Sequence, residues 1–261
     1  MSASVQTYLR NQRISETLQR WPWLYTEVQK TRHRRKGFVR RIVTRNHAIM
    51  IEGFPRSGTS FAVQAMQSAN PALVGRIATH LHTSAHLIRA TQLAVPGMVL
   101  VREPAAAITS MIALGIQTGR LDLDTANNTE KAAVIAQATR RYAALHQTLL
   151  GLRDQLMIVR FEDATADFGA VIDAFNRRFG TTFGRFEHTP EATAEIFERS
   201  KKRKKVHLSP DAGRNEIKQT LSAHYAAPAN VSNRQIAERV HAECLGAATR
   251  VAPRGERVGT P

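Results

Sequence analysis

Gly53-Phe54-Pro55-Arg56-Ser57-Gly58-Thr59-Ser60 combines two glycines five apart with one arginine and three hydroxyl side chains. Glycines at that spacing let a backbone curl around an anion, and a helix starting just behind them aims its first-turn amides and positive dipole end into the curl. The run reads as a phosphate cradle. Its spacing is that of the nucleotide loop G-x-x-x-x-G-K-[ST], but Thr59 stands where the lysine belongs, and the cation, Arg56, lies inside the loop. A nucleoside triphosphatase needs that lysine on its β- and γ-phosphates. The loop therefore suits a phosphate ester that lacks them.

Other residues with chemistry to offer follow at intervals. His80, His82 and His86 fall within seven positions and are candidate general bases, with nothing in their spacing to choose among them. Arg102 with Ser110, eight positions on, supplies a cation and a hydroxyl that could meet one phosphate, although such a pair is nonspecific on its own. Glu162-Asp163 could be the Mg²⁺-binding half of an NTPase, which keeps that class open.

These residues need elements to hold them. Ala48–Ile51, Met98–Val101 and Gln155–Arg160 are short continuous apolar runs of the kind found in a doubly covered parallel sheet, and 72–78 is a weaker strand candidate delivering Thr79 to His82. Ala62, Ala65, Met66 and Ala69 recur at helical spacing until Asn70-Pro71, and Pro104 opens a helix with Ile108, Met111, Ile112 and Ile116 inward. Further helices are expected over 129–150 with Gly151 as cap, over 168–179 stopped by Gly180, and near 212–225 and 233–246. Residues 117–128 read as a long loop, a lid or a plain connection. The alternation predicts an α/β, three-layer P-loop-type fold with a central parallel β-sheet flanked by helices, its ligand at the carboxyl ends of the strands.

A chain of 261 residues can bury the core of one such domain. We expect a single α/β domain over 1–245, with an N-terminal helix and basic lead-in over 1–45 and a fraying Gly/Pro/Arg-rich tail over 246–261. Within the first 30 residues, Trp21-Pro22-Trp23-Leu24-Tyr25 breaks an amphipathic helical pattern and is expected to anchor it on the core, the alternative being the wall of an acceptor pocket.

One cysteine, Cys244, excludes an intrachain disulfide framework and a cysteine metal site. No signal-like apolar core and no run of eighteen apolar residues occurs, so a soluble cytoplasmic protein is expected. The formal charge of +16 (37 basic against 21 acidic side chains) is local: seven Lys/Arg lie in Thr31–Arg45 and six in Arg199–Lys205, leaving 24 against 21 elsewhere. Such runs are solvated faces or flexible arms, or else meet an anion: a cofactor, an acidic acceptor, nucleic acid or a membrane surface. Neither run shows the aromatic interleaving of a single-strand nucleic-acid platform.

Pro55-Arg56-Ser57-Gly58-Thr59-Ser60-Phe61 resembles the P-[KR]-S-G-T-[TS]-[WF] loop of the sulfotransferases, which holds the 5′-phosphosulfate of 3′-phosphoadenosine 5′-phosphosulfate (PAPS). Thr79-His80-Leu81 resembles that family's K-T-H-L segment, and His80 precedes Arg102 by twenty-two positions, as the family's base precedes its arginine. Arg102 to Ser110 is similar to the R-x7-S that grips the 3′-phosphate, and Arg160-Phe161-Glu162-Asp163 to the R-[YF]-E-D strand end. The resemblance spans about 48–164, with a looser match of 199–205 to a cofactor-closing R-K-G loop whose glycine is missing.

It implies sulfuryl transfer from PAPS to an acceptor hydroxyl or amine on a small molecule, glycan or lipid, releasing adenosine 3′,5′-bisphosphate without a metal. It further implies His80 as base, Arg56 and Ser57, Gly58, Thr59 and Ser60 on the phosphosulfate, Arg102 and Ser110 on the 3′-phosphate, and Phe61 and Phe161 at aromatic positions near the adenine, with core packing as the competing reading for both. Ala78 stands where the family has a lysine that helps neutralise the leaving oxygen, which leaves Arg56 as the cation available. The rival classes are a Mg²⁺-dependent kinase or NTPase and a basic nucleic-acid-binding protein.

Overall fold

The computed structural model describes residues 2–35, 37–123, 126–202 and 212–251. Among them, four strands form one parallel sheet: β1 Ile49–Gly53, β2 Ile77–Thr79, β3 Gly97–Val101 and β4 Leu156–Arg160, in the order β2-β1-β3-β4. Register pairs Ile51 with Thr79 on one side and with Met98 on the other, and β3 pairs Met98 with Met157. Successive strand residues face opposite layers, so the apolar runs must be covered twice. Met50, Val99, Val101, Leu156 and Ile158 join one core; Ile49, Ile51, Met98, Leu100, Met157 and Val159 join the other.

Helices α1 Ala3–Gln19 and α2 Pro22–Arg34 precede the sheet. α3 Thr59–Ala69 follows β1 and packs in the second core, whereas α4 Ser84–Gln92, between β2 and β3, packs in the first. That change of layer makes a topological switch point between β1 and β3, where open parallel sheets leave a crevice beyond the strand ends. α5 Pro104–Gln117 and α6 Asn128–Gly151 complete the first layer before β4. After β4, α7 Phe161–Ala166, α8 Phe168–Phe179 and α9 Pro190–Lys202 serve the second layer, and α10 Ala212–Ala226 and α11 Val231–Gly246 return to the first.

Several boundaries differ from the sequence reading, each for a local reason. β2 is three residues long, because Pro71–Leu73 forms a 3₁₀ turn and Gly75 is left-handed at φ +81°. Gly151 is the last helical residue of α6, and Leu152 is its cap. Glu162 and Asp163 lie in the first turn of α7 rather than in a strand end, where their charge favours the helix dipole. The tail does not begin at Gly246: the Thr249 amide donates to the Ile158 carbonyl and Val251 packs against the second core. The aromatic break between α1 and α2 does not anchor as expected, since Tyr25 is buried but Trp21 and Trp23 are 56% and 60% exposed. Of the basic run 199–205, Arg199 pairs with Glu195 on the exposed face of α9, and residues 203–205 lie outside the described residues.

Candidate functional site

Each of the four strands leads into a residue or loop singled out above. The cradle follows β1, the histidines follow β2, Arg102 follows β3 and Phe161 follows β4. Gly53 is fixed by packing, because a Cβ there would meet the Leu100 carbonyl at 2.6 Å. Gly58 caps α3 at φ +84° without a side-chain cap, which leaves the first-turn amides of α3 without intrahelical acceptors. Arg56 is also left-handed, at φ +76°, a conformation a non-glycine residue holds only when its surroundings impose it.

Those surroundings are the other motif. The Arg56 Nε donates to Ser110 Oγ at 3.0 Å, and Arg102 Nη1 donates to the Arg56 carbonyl at 2.8 Å. Arg102 in turn lies over the Phe161 ring at 4.4 Å, and its own carbonyl accepts from the Tyr142 hydroxyl of α6 at 2.6 Å. The Phe161 ring closes the cradle from beneath, 3.2 Å from where a Gly58 Cβ would stand. Residues 46 and 54 positions apart are thus brought to one point.

A third guanidinium joins them that the sequence reading missed. Arg214 of α10 is only 4% exposed and grips Gln117 Oε1 through Nε at 3.0 Å and Nη2 at 2.8 Å. Burial, then repulsion from Arg214 and Arg102, lowers the Arg56 pKa to about 10. A guanidinium depressed by neighbouring cations marks a place that gains from an anion.

The histidines divide into two kinds. His86 is fully buried and both its nitrogens are committed: Nδ1 donates to Glu52 Oε1 at 2.8 Å, and Nε2 accepts from the Val43 amide at 2.9 Å. It is a structural imidazole, not a base. His80 and His82 are part-exposed with rings 5.6 Å apart, and both backbones are left-handed, at φ +63° and +55°. His80 contacts Ser60 Oγ of the cradle through Nε2 and Thr79 Oγ1 through Nδ1, each at 2.9 Å. His82 Nδ1 donates to the Gly53 carbonyl at 2.6 Å, so its Nε2 is the basic nitrogen of the neutral ring.

Glu52 organises this loop and was also missed. At 1% exposure it accepts from the Leu81 amide at 2.8 Å, from the His82 amide at 3.2 Å and from His86. Burial alone would raise its pKa, but His82 and His86 hold it well below the usual carboxylate range. Its signal in the sequence was a lone carboxylate inside an apolar strand, which requires buried partners.

The cradle fits a phosphoryl or sulfuryl group. Ser57 Oγ and Thr59 Oγ1 are buried without a hydrogen-bond partner beside the start of the loop, Thr59 Oγ1 at 3.2 Å and the Ser57 Cβ at 3.3 Å from a Cβ built on Gly53. Phe61 lies elsewhere: it is 7% exposed within the second core, 5.4 Å from the His188 ring and 6.4 Å from Phe197. Among the described residues, no group of three or more His, Cys, Asp or Glu side chains could hold a metal ion.

Fold and site together define an α/β protein with a lysine-free anion cradle at the switch point of its sheet. No protein-family model and no curated protein matches the chain. Among solved structures it is similar to mouse sulfotransferase SULT7A1 complexed with PAP, at 14% identity and a TM-score of 0.44, over 74% of this chain and 84% of that one.

Proposed function

We propose that the protein is a sulfotransferase that moves a sulfuryl group from PAPS to an acceptor hydroxyl or amine. The observation that carries this reading is the convergence of Arg56, Arg102 and Ser110, the residues of two separate motifs, on one lysine-free loop whose Ser57 and Thr59 hydroxyls are buried without a partner.

PAPS supplies an activated sulfuryl group on an adenylate. Ser57 to Ser60 hold the phosphosulfate with their amides and hydroxyls, and Arg56 meets the charge that grows on the departing bridging oxygen. Arg102 and Ser110, helped by Arg214, take the 3′-phosphate and so orient the sulfur for in-line attack. His80, beside Ser60 at the rim, takes the acceptor proton as the new S–O or S–N bond forms. The bond from sulfur to the bridging oxygen breaks, and adenosine 3′,5′-bisphosphate leaves. Phe161, beside Gly58 and under the Arg102 guanidinium, borders the nucleotide.

Titration calorimetry tests the reading. Adenosine 3′,5′-bisphosphate should bind without Mg²⁺, and Arg102→Ala should weaken binding at least tenfold, the order of one lost charge-assisted hydrogen bond. No heat with that nucleotide, together with a Mg²⁺-linked signal for ATP, would replace it with the kinase or NTPase reading.

A further inference from the structure

We infer that the α1–α2 hairpin is a docking face for an anionic lipid bilayer. Its elbow shows three large apolar side chains to solvent: Trp21 at 56%, Trp23 at 60% and Leu24 at 39% exposure. On α1, half-buried Leu18 and Ile14, 48% exposed, continue the apolar surface at the i, i+4 spacing of one helix face. Leu18 and Ile14 line one side of a groove of about 600 Å³ between the helices, and Arg32 and Arg35 of α2 and its end line the other. Apolar contact beside paired guanidiniums is what an acidic headgroup with its acyl chain requires, and indole rings are favoured at the boundary between the two.

Charge selects the occupant. Residues 1–45 carry eleven Lys/Arg against two carboxylates, a net of +9. Both carboxylates are already counted in that net, Glu16 accepting from Gln137 of α6 and Glu27 pairing with Lys30. A zwitterionic surface would leave that charge unused, whereas an anionic leaflet attracts each basic residue near it. No helix among the described residues is long and apolar enough to cross a membrane, so the contact is peripheral. The elbow also adjoins the histidines: Gln19 Oε1, at the end of α1, accepts from the Ser84 amide, two residues past His82. A bilayer at the elbow would present hydroxyl-bearing headgroups to that side of the site.

The chain reports on this contact itself, since Trp21 and Trp23 are its two tryptophans. Titrating the full chain with phosphatidylglycerol vesicles should shift tryptophan emission to the blue and shield it from acrylamide, and salt should reverse both. Phosphatidylcholine vesicles should leave the emission unchanged. The double variant Arg32→Gln/Arg35→Gln, at exposed positions, should weaken the binding roughly thirtyfold, and Trp21→Ala/Trp23→Ala should reduce co-sedimentation with the same vesicles. An equal response to phosphatidylcholine, or none to phosphatidylglycerol, overturns the inference. So does a blue shift that grows with protein concentration alone, which would make a second copy the occupant, or one produced by inorganic phosphate, which would make the groove a soluble-anion site. None of these outcomes depends on the sulfotransferase reading, which nucleotide calorimetry decides.

Discussion

Two imidazoles stand edge to face at the rim of the cradle, and single substitutions separate their roles. His80→Ala should lower turnover by about 10²–10⁴-fold, the range of a lost general base, while leaving nucleotide affinity within about twofold. His82→Ala should cost less, through the loosened loop; a larger loss there than at His80 would move the base to His82. Glu52→Gln keeps the shape but faces buried donors with an amide, so it should cost about 2–3 kcal/mol in chemical denaturation and reduce turnover as the left-handed loop relaxes. The cradle was legible because its glycine spacing follows a backbone demand, whereas His80, Arg102 and Ser110 were singled out by the family resemblance and not by spacing alone. Glu52 and Arg214 were missed. Each acts through a distant partner, Glu52 through Leu81 about thirty residues on and Arg214 through Gln117 about one hundred residues back; the lone carboxylate of β1 marked Glu52 as needing buried partners without naming them, and Arg214 has no local pattern.

At the scale of elements, the cradle depends on α3 starting where it does. Gly58→Ala sets a Cβ against the Phe161 ring at a φ of +84°, so adenosine bisphosphate binding should fall by at least tenfold while the melting transition moves by only a few degrees. Calorimetry and a thermal scan on the same sample check both halves. α6 supports Arg102 from the other layer through Tyr142, and Asn127 closes a reciprocal capping box with Glu130 at its start. Asn127→Ala should cost about 1 kcal/mol in urea unfolding. Strands with doubly buried apolar runs were readable along the chain. β2 was overextended because Ala72, Leu73 and Val74, assigned to it, carry apolar side chains but follow a proline into a turn, and the Trp-Pro-Trp cluster was misread because aromatic residues serve cores and surfaces alike.

For the whole molecule, stability should decline as acid is added, in two stages. His146 is fully buried, its Nδ1 donating to the Tyr142 carbonyl, and burial lowers its pKa to about 4 despite that bond. From the ordinary 6.5 down to about 4, the unfolded chain takes up a proton that the folded one refuses, so stability is intact above that window and falls through it, by up to about 3 kcal/mol. Below about 4.5 Glu52 acts in the same direction: its depressed pKa means the unfolded carboxylate protonates first. Urea melts at stepped pH should show both stages, and His146→Leu should flatten the upper one.

The contact from the Val43 amide to His86 and on to Glu52 ties the lead-in before the sheet to the backbone of Leu81 and His82. Anyone trimming this chain to a minimal catalytic fragment would be tempted to discard everything ahead of β1 as ornament. Cutting beyond Val43 would strip the hidden imidazole of its donor and the first core of Val5 and Val43, and the damage would reach the loop one strand away that carries the two rim histidines.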